Sequence, residues 1–317
     1  MDKSKITATA VLCFVIVGLV VVTIMPENEK KIQKGAMDRS PPINDKKPEN
    51  LTFFVLGDWG TRGLATDVAA AMALEAAKKR PTAIISTGDN IYDKTVRAST
   101  DPQFRILFED VFNAETIRSV PWLMSLGDHD HDTPELLQAE LDYAQAHPTK
   151  WMQPFRYYTL KIGEKVQFFV LDAYEEKKDR MAPPQLTWLE NELKTSTALW
   201  KIVIGHRPVF SGGHAHGNSH WLQETLAPLL RRYHVQAHFS GDDHSLQVLN
   251  SEGVRYFVSG AGGPPNHRLV KLPQTRFQFS GTSGYMVLRW VEGMATLHVD
   301  VVSSDGNKLL YTENVPV

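Results

Sequence analysis

Five times along this chain an apolar run ends in a glycine that is followed at once by a carboxylate or an imidazole. Phe53-Phe54-Val55-Leu56 leads into Gly57-Asp58, and Ala83-Ile84-Ile85-Ser86-Thr87 leads into Gly88-Asp89-Asn90-Ile91-Tyr92. Trp122-Leu123-Met124-Ser125-Leu126 leads into Gly127-Asp128-His129, Ile202-Val203-Ile204 into Gly205-His206, and Ala237-His238-Phe239-Ser240 into Gly241-Asp242-Asp243-His244. One Gly-Asp after a strand is ordinary turn or helix-cap chemistry. Five in one chain constrain the fold, because an open α/β sheet gathers its functional groups beyond the carboxyl ends of its strands. These side chains are therefore expected to meet at one edge.

Carboxylates within about 4 to 6 Å of one another raise each other's pKa unless something positive lies between them. Asp58, Asp89, Asp128 and Asp242, together with His206 and His244, form a donor set suited to cations, read here as a site for two metal ions. The single cysteine, Cys13, lies outside these segments, so binding must use oxygen and nitrogen donors without disulfide or thiolate support. A formal net charge of -2 over 317 residues, with no strong basic block, gives no footing for nucleic-acid binding. The 42% hydrophobic and 22% charged residues are an ordinary globular balance.

The amino-terminal region has a different character. A short tail, residues 1–5, carries Lys3 and Lys5, and residues 6–25 then run without a charge. About 20 apolar residues suffice to cross a bilayer. A cleaved signal peptide would have an apolar core of about 7 to 15 residues and a small-residue cleavage site, and Val21-Val22-Thr23-Ile24-Met25 offers none. The segment is thus expected to be an uncleaved transmembrane signal-anchor. The following domain then faces the extracytoplasmic side, or is secreted if the segment is cleaved. Lys30, Lys31 and Lys34 blur the charge asymmetry that would fix orientation. Residues 26–50, polar and broken by Pro41, Pro42 and Pro48, read as a flexible linker. Asn50-Leu51-Thr52 fits the N-glycosylation acceptor pattern.

Residues 51–317 are expected to form one α/β domain. Leu64 to Lys79 is alanine-rich with helical spacing and ends before Pro81. Phe104 to Phe112 reads as an amphipathic helix, and Arg156–Ile162 with Val166–Leu171 as a hairpin around Gly163-Glu164. Pro183-Pro184 open a further helix, and another spans about His220 to Tyr233. The alternating tail segments, Arg255–Ser259, Tyr285–Trp290, Ala295–Val302 and Lys308–Thr312, are expected to form a second, mostly antiparallel sheet of their own. The loops Arg62–Thr66, Lys94–Asp101, Tyr174–Ala182 and Pro264–Gln274 are expected to shape the pocket.

The five segments in this order resemble the metallophosphoesterase superfamily, and within it the small purple acid phosphatases of the tartrate-resistant type. The residues carrying the resemblance are Gly57-Asp58-Trp59-Gly60, Gly88-Asp89-Asn90-Ile91-Tyr92, Gly127-Asp128-His129-Asp130, Gly205-His206-Arg207-Pro208-Val209 and Gly241-Asp242-Asp243-His244-Ser245-Leu246-Gln247. The resemblance implies a four-layer αββα sandwich with two mixed sheets and a dinuclear centre between them. It implies that Asp58, Tyr92 and His244 hold a first metal, ferric iron in the family. Asp89 bridges, and Asp128, His206 and Asp242 hold a second, divalent ion (iron, manganese, magnesium or zinc). A phenol of pKa about 10 suits a strongly polarising cation. His129 and His216 match the family's histidines that face the phosphate, though a one-residue insertion leaves His214 as a rival to His216. A solvated loop is the competing reading for His214, His216 and His220, and His131 and His234 read as ordinary structural or surface histidines.

Two positions depart from that pattern: Asp128 stands where the family has asparagine, and Asp242 where it has histidine. The usual ligands and a bridging hydroxide leave an Fe(III)–M(II) centre at about +1, and two further carboxylates bring it to about -1. Arg207, protonated His129, or a carboxyl that keeps its proton would each compensate. Extra oxygen donors also shift the second position towards magnesium, manganese or ferrous iron. The resemblance implies a phosphoric monoester hydrolase of acid phosphatase type, using hydroxide activated by the metals on a small-molecule or phosphopeptide phosphate ester. A phosphodiesterase is a close variant. The alternative is a membrane-tethered, catalytically weak relative that uses the fold as a binding or anchoring module.

Overall fold

In the computed structural model the described residues are 51–61, 63, 65–174, 180–263, 268–291, 293 and 295–317. The expected anchor (6–25), the linker (26–50), Asn50 of the acceptor pattern, and parts of three of the expected pocket loops lie outside them.

Two seven-stranded mixed sheets form the body. The first runs β14-β13-β12-β1-β2-β3-β4, with β1 Thr52–Leu56, β2 Ala83–Ser86, β3 Trp122–Met124, β4 Trp151–Met152, β12 Gly284–Trp290, β13 Thr296–Ser303 and β14 Lys308–Pro316. The second runs β11-β9-β10-β8-β7-β6-β5, with β5 Tyr158–Ile162, β6 Val166–Val170, β7 Trp200–Ile204, β8 Ala237–Ser240, β9 Leu246–Ser251, β10 Val254–Ser259 and β11 Thr275–Phe279. Helices α1 (Thr66–Lys79) and α2 (Pro134–Ala146) cover the first sheet, while α3 (Pro183–Thr195) and α4 (His220–Arg232) cover the second.

The period of two decides which residue faces which layer. In β1, Phe53 and Val55 enter the core between the sheets with Phe168, Ile202 and Phe239. Phe54 and Leu56 enter the core under α1 and α2 with Val68, Met72 and Leu136. A third core, built on Leu189, Leu193, Leu222 and Leu226, joins the second sheet to its own helices. Three cores between four layers give the expected αββα sandwich. Each fully buried Phe or Leu side chain contributes roughly 1.5–3 kcal/mol of transfer free energy.

Local chemistry starts and stops the helices. The hydroxyls of Thr133 and Ser219 accept the amides of Leu136 and Leu222, capping α2 and α4. Arg80 takes the left-handed conformation (φ 36°) at the end of α1.

Two expectations need correction. The tail does not build a sheet of its own. Val254–Ser259 lies parallel to β8 in the second sheet, and β12 lies antiparallel to β1, so β12–β14 extend the first sheet. Alternation identifies a strand but not its partner. In β12, Tyr285 and Val287 face the helices while Met286, Leu288 and Trp290 face the inter-sheet core, so both faces are covered. The second correction concerns Phe104 to Phe112. A short α-turn, Pro102–Phe104, passes into a π-helix over Arg105–Glu109, closed by the Asp110 amide donating to the Arg105 carbonyl (2.8 Å). The wider turn sets Phe108 and Phe112 against Trp59 and Trp122 in one aromatic cluster.

Candidate metal centre

The tips of β1, β2, β3, β7 and β8 converge where the two sheets approach each other. The Gly57 amide donates to the Ser259 carbonyl (2.8 Å), and the Ser259 hydroxyl donates to the Val55 carbonyl (2.8 Å), tying β1 to β10 across the sandwich. Beyond these tips the chain turns sharply. Asp58, Asp89 and Asp242 all adopt positive φ (61°, 56° and 66°), a region uncommon for non-glycine residues but several-fold enriched in Asp. Three such residues at one edge are the kind of strain that gathers at functional sites. Gly88 is obligatory twice over: its φ is +98°, and a Cβ there would lie 2.7 Å from His206 Nδ1. A Cβ on Gly127 would fall 2.2 Å from Asp89 Oδ1.

His206 is the hub. It is buried, and its Nδ1 donates to the Thr87 carbonyl (2.8 Å), which turns Nε2 towards three carboxylates. Nε2 lies 3.2 Å from Asp128 Oδ1, 3.4 Å from Asp89 Oδ1 and 3.8 Å from Asp242 Oδ1. Asp58 accepts the Asp242 amide on both oxygens at 3.1 Å and lies 3.4 Å from His244 Nε2. The Tyr92 hydroxyl sits 3.3 Å from the same nitrogen. All seven expected ligands are thus together. Among the described residues, three sets bring donor atoms within 4.8 Å of one another: Asp58/Asp89/His206, Asp89/Asp128/His129 and Asp128/His206/Asp242.

The charge state explains why such a cluster asks for cations. Burial, only partly offset by His206 and reinforced by Asp58 and Asp128, pushes the Asp89 carboxyl up to about 8. Asp242 is raised by burial against the pull of His206, Arg207 and His216. Burial also lifts the Tyr92 phenol far above its ordinary value, and Asp58 and Asp89 add to it. Burial pulls His206 down, but Asp89, Asp128 and Asp58 outweigh it and hold the imidazole well above its usual range. Asp128 gains from the same bond: burial works against its charge, yet the His206 hydrogen bond and charge keep it below the carboxylate range. Carboxylate, phenol and imidazole donors with these pKa directions fit a pair of hard or borderline cations.

The candidate phosphate-facing histidines flank the cluster. His129 donates its amide to Asp89 Oδ1 (3.1 Å), places Nδ1 3.0 Å from Asp132 Oδ2, and lies over the Tyr92 ring at 4.4 Å. His216 approaches the site, with Nδ1 3.5 Å from Asp242 Oδ1. His131 is engaged by Asp172 (3.0 Å), and His214, His220 and His234 are exposed.

Sequence reasoning missed the frame that holds these groups. Asp130, fully buried, accepts the amides of Asn90 (2.8 Å), Ile91 (3.0 Å) and Gly127 (2.7 Å), fixing the tips of β2 and β3 to each other. The Asn90 amide nitrogen also reaches Glu140 (3.2 Å), and its oxygen accepts from Ser86 Oγ (2.6 Å), which accepts from Trp59 Nε1 (2.9 Å). Burial and the neighbouring Asp130 raise Glu140 well above its usual pKa. Asp243 similarly gathers the Ser211 hydroxyl and the Gly217 amide (3.1 Å), shaping the loop that carries His216. Glu140 had a signal: it lies on the apolar stripe of α2 with Leu136, Tyr143 and Ala144.

Residues 51–246 match the Calcineurin-like phosphoesterase family. The chain is 32% identical to human tartrate-resistant acid phosphatase type 5, over 86% of this chain and 93% of that protein. It is 29% identical to purple acid phosphatase 4 of Arabidopsis thaliana, over 82% and 78% of the two chains. Among solved structures it resembles GAP50, described as the anchor in the inner membrane complex of Plasmodium (TM-score 0.74, 24% identity, 84% and 89% covered). It also resembles the purple acid phosphatase PPD1 from yellow lupin seeds (TM-score 0.68, 15% identity, 85% and 54% covered). Sequence, fold and the carboxylate cluster agree: the chain belongs to the calcineurin-like phosphoesterase family, among relatives of the tartrate-resistant and purple acid phosphatases.

Proposed function

We propose that this chain is a metal-dependent phosphoric monoester hydrolase of acid phosphatase type. Asp58, Tyr92 and His244 would hold a first ion, ferric iron. Asp128, His206 and Asp242 would hold a divalent second, with Asp89 between them. The observation that carries the reading is the single nitrogen, His206 Nε2, set 3.2 to 3.8 Å from carboxylates delivered by three different strand tips. When bound, the ions would supply a water acidic enough to attack at working pH and Lewis acidity towards phosphoryl oxygens.

The chain's own residues would do the rest. His206 keeps its Nδ1 proton on Thr87, leaving Nε2 as the donor to metal. Asp132 holds Nδ1 of His129, so the other ring nitrogen is the one that gives a proton to the leaving oxygen. Asp89 and Asp132 keep that imidazole protonated to higher pH, against the pull of burial. His216 closes the opposite side of Asp242. The substrate would be a small phosphate ester, free or on a peptide. The uncharged stretch 6–25 would tether the domain to a membrane, facing the extracytoplasmic side.

A second reading, a catalytically weak anchoring module, draws on the two added carboxylates and on the GAP50-like fold. One experiment separates the two readings. The full chain is purified in detergent, its metals are counted and its visible spectrum recorded, and a chromogenic phosphate monoester is assayed across pH. An iron(III)–phenolate band with hydrolysis is the expected result. Two metals without turnover would favour the anchoring module. A folded sample that stays metal-free in excess iron, manganese and zinc would overturn the metal centre itself.

A further inference from the structure

The two halves of the centre differ in one respect that the ligand set alone does not reveal. Arg207 follows His206 directly, and its Nη1 donates to Asp242 Oδ2. Its Nη2 donates to the His216 carbonyl at 3.2 Å, which fixes the guanidinium plane from the other side. Both side chains of the ion pair are nearly buried, at 10% and 6% exposure. Asp242 therefore divides its carboxylate. Oδ2 is taken by the guanidinium, while Oδ1 faces His206 Nε2 and His216 Nδ1 at 3.8 and 3.5 Å. Asp58, at the other half, instead accepts a neutral backbone amide and lies beside His244.

The geometry points to Arg207 as a resident cation that shares Asp242 with the second metal position and lowers the affinity of that position for its ion. This deepens the dinuclear reading above and rests on it. An arginine cannot shed its charge to make room for a metal. A divalent ion arriving at Asp128, His206 and Asp242 meets a carboxylate already neutralised and a fixed positive charge in a poorly solvated setting, where like charges repel strongly. The same pair answers the charge problem posed by Asp128 and Asp242: the protein supplies part of the positive charge that the extra carboxylates demand.

The test is a titration of the metal-stripped full chain in detergent with manganese(II) alone, read as loss of the free-ion electron paramagnetic resonance signal. Two binding classes are expected in the unaltered protein, the weaker at least tenfold above the stronger in Kd. Arg207→Met should tighten the weaker class at least tenfold and leave the stronger within threefold. Arg207→Lys, which keeps the charge, should resemble the parent and controls for a folding defect in the methionine variant. Asp242→Asn should weaken the weaker class alone, identifying it with the second position. Two equal sites in the parent, or a weaker class unmoved by Arg207→Met in a folded sample, would overturn the inference while leaving the metal centre standing. No manganese bound by any variant or by the parent would overturn both.

Discussion

Buried acids are handled in opposite ways in two regions of this molecule. At the outer strands, Asp300 on β13 meets Arg289 (2.8 Å), Lys79 (3.3 Å) and the Thr312 hydroxyl (2.8 Å). Glu313 on β14 meets Arg255 and Arg276, each at 2.9 Å, and the Tyr311 hydroxyl (2.8 Å). Burial works against both charges, but these partners win and hold both carboxyls below their usual range. At the strand tips four aspartates crowd together, and although Arg207 and His206 offset part of that charge, burial and the neighbouring carboxylates drive Asp89 up to about 8 instead. The first region is electrically finished. The second is incomplete until something positive arrives, and that incompleteness is what separates a binding site from a structural ion-pair network.

The comparison is sharpened most by Asp89→Asn. Hydrolysis of a chromogenic phosphate monoester should fall roughly a thousandfold, the scale on which losing one electrostatic element of a site is felt. Metal content should drop below one ion per chain, while the melting temperature of the metal-free protein stays level or rises. Retention of activity within tenfold would break the contrast. In the finished region the same kind of change should act on stability. Glu313→Ala leaves Arg255 and Arg276 without their carboxylate and should cost roughly 3 kcal/mol in urea unfolding, the low end for a buried pair because Arg276 is half-exposed.

A smaller effect comes from His238, buried on β8, whose pKa is pushed down by burial to about 3. The unfolded chain takes up that proton near pH 6.5 and the folded chain does not, so this contribution is intact above pH 6.5 and is lost as pH falls below it. Between pH 7 and pH 5 the loss should be roughly 2 kcal/mol. His238→Phe should remove that slope from stability measured across the same range. The smallest expected effect is that of Asp128→Asn, which keeps an oxygen donor, removes one negative charge and leaves the Arg207–Asp242 pair in place. KM for the phosphate monoester should fall about threefold to tenfold; an unchanged or raised KM would count against charge balance as the limit on substrate binding.

The strand tips were legible in the sequence because each couples an apolar run to a glycine and a donor, a pattern set within about six residues. Pairing between distant strands was not legible. The alternation in Tyr285–Trp290 fits a partner on either sheet, and only the register of Phe54 against Val287 places it beside β1. The placing of His216 Nδ1 3.5 Å from Asp242 depends on tertiary structure as well: Asp243 and Gln247 shape its loop, and neither signals that role in sequence. Asp130 stood inside a quoted motif, yet its work, binding three amides from two strand tips, depends on a meeting no single segment encodes.

The left-handed backbone at Asp58, Asp89 and Asp242 has a consequence for how this lineage can change. Asparagine and glycine tolerate that conformation, and both are one nucleotide away from aspartate codons, whereas valine, equally close, is β-branched and poorly tolerated there. A change to asparagine or glycine at one of these corners would remove a carboxylate while keeping the turn. A chain built this way could lose its reaction and still keep its fold.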